Sequence, residues 1–198
     1  AANTLDLVDR GGSTLATLSV SAPEAGHLVV SLTPGSGSER RFSWGFSCDS
    51  DDHFAGFGAQ TWDVDHRGQT VPTFVQEQGI GKDTTDEYTG AWFLVGRRHS
   101  SHLPIPQYLS RRGYILTAET NLSATFALCS ESESAARVEV TLPATIHLFD
   151  GPSPPEAIAR ATSTFGRPRN PPRVAFAPWL DAIYGSENVR RVAEKLRE

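Results

Sequence analysis

The chain has 198 residues, of which 38% are hydrophobic and 21% charged, and its net charge is −5 at pH 7. This composition is typical of a folded protein, and the length fits one large domain or one domain with part of another. An acidic chain lacks the positive field that nucleic-acid binding requires, and no apolar run approaches the ~20 residues of a membrane span. We therefore expect neither nucleic acid nor a membrane as a partner.

The amino terminus and the two cysteines bear on whether the chain is complete and whether it contains a disulfide. Methionine is absent, even at position 1, and no signal-like segment begins at Ala1, so we expect a piece of a longer protein. Two cysteines, Cys48 and Cys129, are too few for a disulfide framework or a zinc site, and we expect free structural thiols rather than a bridge. The glycosylation triplet at 121–123 matters only in a secreted protein. The compartment stays open, with a cytoplasmic location favoured.

Residues 1–150 are predicted to form a β-sandwich. Apolar side chains alternate with polar ones, which places the apolar set on one face of a strand. Three runs show this alternation: Leu28, Val30 and Leu32; Leu122, Ala124, Phe126 and Leu128; and Val138, Val140 and Leu142. Small and polar residues at 34–38, 47–52 and 130–134 are typical of the turns between such strands.

Residues 151–172 are predicted to form a helix and a proline-rich linker. Ser153 precedes two prolines and Glu156, which is the spacing of a capping box with prolines where helix amides have no partner. The helix is expected to end at Phe165, with Gly166 as a left-handed cap. The prolines at 171–172 then stiffen the linker.

Residues 173–198 are predicted to form one strand and one helix. The apolar run 174–180 is interpreted as a buried strand, and the helix is expected from Ser186 to Arg197 with an apolar face. That face consists of Val189, Val192, Ala193 and Leu196. One strand and one helix cannot close a layer, so we expect these apolar side chains to be left uncovered.

The segment from Phe54 to Lys82 contains the main candidates for binding residues and for residues with special backbone roles. Gly56 and Gly58 are two apart, but no helix start follows them, so a bulge or a close backbone approach is favoured over a phosphate site. Asp65 and Arg67 are predicted to form an ion pair that braces a turn.

Glu77 is the most specific candidate for a binding residue. It opens the segment Glu-Gln-Gly-Ile-Gly-Lys, in which a carboxylate could accept hydrogen bonds from sugar hydroxyls while the glycines let the backbone approach the ligand. A solvated loop acid is the alternative. The aromatic and basic residues that follow could contact a sugar or an anion, or pack the loop onto the sandwich. They are Tyr88, Trp92, Phe93, Arg97, Arg98 and His99.

No metal or cofactor is expected. The sequence contains two acidic clusters: Asp49, Asp51, Asp52 and His53; and Asp63, Asp65 and His66. A calcium loop counted from Asp49 would need glycine and glutamate where Phe54 and Gln60 stand, and neither cluster has zinc-ligand spacing. Ser, His and Asp occur in no nucleophile-elbow context, so a hydrolytic triad is not expected.

Taken in chain order, these stretches resemble glycoside hydrolase family 31. The glycine-rich strand at 54–58 leads to Asp65, Arg67 and Gly68, and the Glu77 loop follows. Next come a proline-framed strand ending in Ser-x-x-Gly-Tyr at 103–114 and a Gly- and Pro-rich passage at 151–179. The family commonly has a glutamate just after the second glycine, where Ala59 and Gln60 stand here, so no role of that acid is transferred.

The resemblance implies both a fold and an activity. The fold would be mainly β, a galactose-mutarotase-like β-sandwich followed by the first strand and helix of a (β/α)8 barrel. The whole protein would be a retaining α-glycosidase acting on an α-glucoside, α-xyloside or sulfoquinovoside. Its catalytic carboxylates would lie on later barrel strands, so this chain contributes no catalytic residue and is expected to be inactive alone.

The same resemblance makes Glu77 and Gln78 the substrate-binding residues. The expected partners are a carbohydrate substrate and the remainder of the barrel, and self-association stays open. The alternative is a non-catalytic β-sandwich that binds carbohydrate or protein. Further strand–helix units with two well-placed aspartates downstream would favour the enzyme, and a stop codon would favour the binding module.

Overall fold

The computed structural model describes residues 3–35, 41–75, 98–177 and 184–197. It divides the chain into two compact units, residues 1–166 and 167–198. Within the described residues of the first unit, eleven strands and a helix form a mainly β structure, which confirms the predicted fold class. The strands are β1 Asn3–Val8, β2 Thr14–Glu24, β3 His27–Pro34, β4 Arg41–Ser47, β5 Phe54–Gly58, β6 Gln69–Thr73, β7 Pro104–Ser110, β8 Tyr114–Glu119, β9 Ala124–Ser132, β10 Ala135–Thr141 and β11 Ala144–Asp150.

The strands form two antiparallel sheets. In the described ranges the larger has seven strands in the order β1-β2-β3-β11-β8-β7-β5, and the smaller has four in the order β4-β10-β9-β6. The apolar side chains that alternate with polar ones along the strands point to the space between the two sheets and form the core there. Val30, Phe126 and Val140 are each at most 2% exposed and belong to one cluster that draws on both sheets. Burying such side chains contributes about 1.5–3 kcal/mol each.

The cysteine prediction was wrong. Cys48 and Cys129 form a disulfide with their Cα atoms 6.1 Å apart. They are 81 residues apart in the chain, and no compact Cys spacing indicates the pairing. The fold brings the loop after β4 next to β9, and both side chains lie in the core.

The helix prediction at 151–165 is confirmed, with a correction at its ends. Helix α1 is Pro154–Phe165, and prolines occupy its first turn. The Ser153 hydroxyl contacts the Glu156 carboxylate instead of a backbone amide, so the capping box is incomplete. Gly166 has the positive φ of 93° that glycine permits, but its ψ of 166° is extended rather than left-handed helical.

Helix α1 packs on the face of the larger sheet that points away from the smaller one. Ala157 and Ala161 are at most 4% exposed and contact Ile115 and Phe149 in a second, smaller apolar cluster. Because only small residues face the sheet, the helix backbone can lie close to it. This helix therefore closes one end of the outer face.

The described residues of the second unit, 167–177 and 184–197, have little buried apolar surface. Arg173–Phe176 is a 3-10 helix, and Phe176 is 78% exposed, so the predicted buried strand at 174–180 is not formed over its described part. A strand needs neighbours for its backbone hydrogen bonds, and the described residues of this unit supply none. Helix α2, Ser186–Lys195, confirms the second helix, and its apolar residues are uncovered, with Leu196 just beyond it 68% exposed. Among the described helices, none is long and apolar enough to cross a membrane.

Candidate functional site

The glycine-rich strand at 54–58 forms a tightly packed edge of the larger sheet. A Cβ atom on Gly56 would lie 2.5 Å from the Gln107 carbonyl oxygen, and one on Gly58 would lie 2.0 Å from the Leu103 carbonyl oxygen. The pairing of β5 with β7 shifts register between these glycines. Phe57 between them is fully buried, with a φ of 65°. The glycines serve close backbone approach at a bulge, as predicted.

Asp65 and Arg67 both brace this region, but they do not form the predicted ion pair. The Asp65 carboxylate accepts hydrogen bonds from the Arg67 and Phe54 amides at 3.1 and 3.2 Å and pairs with the His53 ring at 2.6 Å. The Arg67 guanidinium instead donates to the Cys129 sulfur at 3.1 Å. Burial raises the pKa of Asp65, but its hydrogen bonds outweigh burial and leave the pKa below the usual range.

The proline-framed stretch forms a strand and a turn that hydrogen bonds and an ion pair hold in place. Strand β7 ends at Ser110, whose hydroxyl accepts the Arg112 amide at 3.1 Å. Gly113 has a φ of 90° and donates its amide to the Ser110 carbonyl at 3.0 Å. The Arg112 guanidinium pairs with Asp52 at 2.6 Å and also contacts Asp49. The first acidic cluster therefore anchors the turn between β7 and β8.

A cleft of about 740 Å³ lies beside β6, between the end of that strand in the smaller sheet and Arg98, where the described chain resumes. Residues from both of these parts of the chain line it: Gly68, Gln69, Thr70, Pro72, Phe74, Arg98 and His99. Val75, next in the chain to Phe74, pairs with Ser101 in a parallel bridge. The cleft thus marks where the segment 76–97 is attached to the sandwich.

Two histidines are buried in and under this cleft. His66 is fully buried and His99 is 4% exposed, and their rings lie 5.5 Å apart in an edge contact. Burial lowers the pKa of both side chains, so both are neutral near pH 7. Neither ring nitrogen of His66 has a hydrogen-bond partner among the described residues.

The charged groups at the cleft are already engaged. Arg98 pairs with Asp63 at 2.6 Å, and this hydrogen bond lowers the pKa of the Asp63 carboxyl. His99 also contacts the Gln60 side-chain oxygen at 3.4 Å. Within the described residues, no three His, Cys, Asp or Glu side chains are grouped closely enough to hold a metal ion. The arrangement holds two chain segments together and offers no free acid–base pair.

The predicted binding residues Glu77 and Gln78 lie outside the described residues, as do Tyr88, Trp92, Phe93 and Arg97. The structure therefore leaves those predictions untested. It does locate Phe74 and Arg98, the lining residues nearest to that segment on its two sides, at the same cleft. Gln69 also lines it, and the sequence reasoning missed Phe74 and Gln69 because only the return of the chain brings them to one site.

The sequence is similar to two sulfoquinovosidases. It is 29% identical over 154 residues to the enzyme of Agrobacterium fabrum, which covers 75% of this chain and 23% of that protein. It is 32% identical over 74 residues to the enzyme of Escherichia coli, covering 37% of this chain and 11% of that protein. The chain thus spans at most about a quarter of the length of these relatives. No family model matches the sequence.

Solved structures show the same fold. A glycoside hydrolase family 31 sulfoquinovosidase from E. rectale aligns over 84% of this chain and 25% of its own, with a TM-score of 0.71 at 19% identity. The cycloalternan-forming enzyme of Listeria monocytogenes aligns over 87% and 22%, with a TM-score of 0.65 at 13% identity. In sequence and in fold the chain is therefore similar to part of these glycoside hydrolases, which supports the resemblance to glycoside hydrolase family 31 seen in its sequence.

Proposed function

We propose that this chain is the amino-terminal portion of a retaining α-glycosidase that hydrolyses α-linked sugars. The observation that carries the proposal is the 29% identity to a sulfoquinovosidase over 75% of the chain. A retaining enzyme uses two carboxylates roughly 5–5.5 Å apart, one as the nucleophile and one as the acid and base. Both are expected on later strands of the barrel, because catalytic residues of such barrels lie at the carboxyl ends of several strands.

The domain organisation follows from the same proposal. Residues 1–150 would be the sandwich, 151–172 the helix and linker, and 173–198 the first strand–helix unit of the catalytic barrel. The exposed apolar residues Phe176, Val189 and Leu196 support this assignment, because such side chains are normally covered in a complete barrel.

The part of the chain proposed to reach the substrate is the segment between Val75 and Arg98. Its ends are held at the cleft by the Val75–Ser101 bridge and by the Arg98–Asp63 ion pair. Glu77 would accept hydrogen bonds from sugar hydroxyls or orient an arginine that does so, and Gln78 would add an amide beside it.

The test is Glu77→Gln in the full-length enzyme, with hydrolysis of 4-nitrophenyl α-sulfoquinovoside and 4-nitrophenyl α-glucoside as the readout. A hydrogen bond to a charged group contributes about 1.5–3 kcal/mol, so kcat/KM should fall about tenfold to a hundredfold on the better substrate. Glu133→Gln in the exposed β9–β10 hairpin is the matched control. Unchanged kinetics for Glu77→Gln would remove the pocket role, and no hydrolysis by the wild type of any α-glycoside would remove the enzyme proposal.

A further inference from the structure

The outer face of the larger sheet has another cleft, with a volume of about 610 Å³. The residues that line it lie at 31–33, 106, 117–122, 143–145 and 165. Its volume lies within the roughly 300–1,000 Å³ range of small-molecule sites. Strands β3, β11 and β8 form its floor. Phe165 at the end of helix α1 and the loop after β8 form its walls. We call it the outer-face cleft.

A row of polar side chains crosses the sheet along this cleft. Ser19 on β2 is paired with Ser31 on β3, Ser31 with Thr145 on β11, and Thr145 with Glu119 on β8. Directly paired residues share a face, and neighbouring strands are about 4.8 Å apart, so these groups form a ladder of hydrogen-bonding atoms. The flanking residues Leu32 and Ile146 point into the core, which fixes the row on the outer face.

Glu119 is held in place by a hydrogen-bonded chain of buried rings. Its carboxylate contacts the His147 ring at 3.1 Å, and the other nitrogen of His147 contacts His27 at 3.1 Å. His27 and His147 are at most 8% exposed, whereas the Glu119 side chain keeps 68% of its surface exposed. Burial, followed by the charge of His147, lowers the pKa of His27, which favours the neutral ring in this chain. Glu119 is thus an oriented acceptor that faces solvent.

One of the apolar residues that line the cleft is aromatic. Phe165 is 47% exposed, and its inner edge packs on His147 at 5.1 Å and on Phe149 at 5.5 Å between ring centroids. The ring is therefore fixed by its contacts while part of its surface stays open. An oriented carboxylate, several hydroxyls and a fixed aromatic ring together suit a ligand that has both hydroxyl groups and apolar C–H surfaces.

The charge of the side chains that line the cleft determines whether a neutral or an anionic ligand fits. Glu119 is the charged side chain among the described residues that line it, and they include no lysine, arginine or histidine. A sulfonated or phosphorylated sugar would therefore meet a carboxylate and no cation. We propose that the outer-face cleft is a carbohydrate site that binds a neutral oligosaccharide.

The test is electrophoresis of the full-length protein through native gels containing dextran, a neutral α-glucan. Wild-type protein and the control Glu133→Gln should both be retarded. Thr145→Val preserves the side-chain shape and removes one hydroxyl, so it should weaken the apparent Kd about two- to tenfold, and Glu119→Gln should weaken it about tenfold or more. Dextran sulfate in place of dextran should retard the wild type less.

A second readout separates this site from the hydrolytic pocket. Hydrolysis of the 4-nitrophenyl glycosides should be unchanged in Thr145→Val and Glu119→Gln, and thermal melting should confirm that both variants are folded. If dextran retarded all variants and the wild type equally, or did not retard the wild type at all, the outer-face site would be wrong. Neither result would bear on the proposed hydrolysis. A parallel loss of hydrolysis and retardation would also overturn the outer-face site, because the dextran would then be bound in the catalytic pocket.

Discussion

The two units of this chain use apolar residues in opposite ways. In residues 3–166 the alternating side chains of two sheets face each other, and Phe126 and Leu128 have no exposed surface. In helix α2 of the second unit the apolar side chains follow a helical pattern just as clear, yet Val189 is 44% exposed and Leu196, just beyond the helix, is 68% exposed. An amphipathic pattern therefore defines a face, but only a partner surface turns that face into a core.

The first way to test this contrast is to delete apolar groups in both units. Phe126→Ala should lower the free energy of unfolding by about 3–5 kcal/mol, because it removes a fully buried ring. Leu196→Ala should change it by less than about 0.5 kcal/mol in this chain, since that side chain is exposed. Urea denaturation of both variants measures the difference. In the full-length enzyme Leu196→Ala should become costly, and an equally small effect there would contradict the proposed barrel contact.

The disulfide gives the sandwich a constraint that the second unit lacks among its described residues. Replacing Cys48 and Cys129 together by alanine should cost about 2–5 kcal/mol, because the bridge closes a loop of 81 residues. Chemical denaturation with and without reductant tests this prediction. Reductant should destabilise the wild type and leave the double variant unchanged. A wild type indifferent to reductant would mean that the thiols are not bridged.

Glycine positions should separate backbone conformation from close packing. Gly58 and Gly12 both have positive φ values, 77° and 84°, but only the Gly58 Cβ would collide with another part of the backbone. Gly58→Ala should therefore cost about 1–3 kcal/mol more than Gly12→Ala, in line with the cost of overpacking. Thermal unfolding of the two variants gives the comparison. Equal losses would show that β5 and β7 can move apart at little cost.

The smallest expected effect is on pH dependence. His27, His66 and His99 have lowered pKa values because of burial, so the folded chain resists protonation that the unfolded chain accepts near pH 6.5. Their contribution to stability is complete above about pH 6.5 and is lost as the pH falls towards the folded-state pKa values. His66→Gln should flatten the fall in urea midpoint between pH 7 and 5. His102→Gln, at an exposed position, should leave the slope as in the wild type.

The fold was largely predictable where local pattern and environment agree. Period-two alternation identified strands such as β3, β9 and β10, and the Ser-Pro-Pro-Glu start identified helix α1. The prediction of a strand at 174–180 was wrong over its described part, because a short apolar run indicates burial but does not supply hydrogen-bonding neighbours. The sequence did not predict the Cys48–Cys129 bridge or the hydrogen bond from the Arg67 guanidinium to the Cys129 sulfur. Both depend on contacts between segments that are distant in the chain.

The candidate sites divide in the same way. Sequence alone directed attention to Glu77 and to the glycines at 56 and 58, because these carry a family motif or a demand on the backbone. Only the tertiary structure brought Phe74 and His99 to one cleft and lined Ser31, Thr145 and Glu119 across three strands. Sequence determines which faces are apolar and which turns need glycine, since these are local properties. Strand order and register decide which distant side chains become neighbours, since these are properties of the whole sheet.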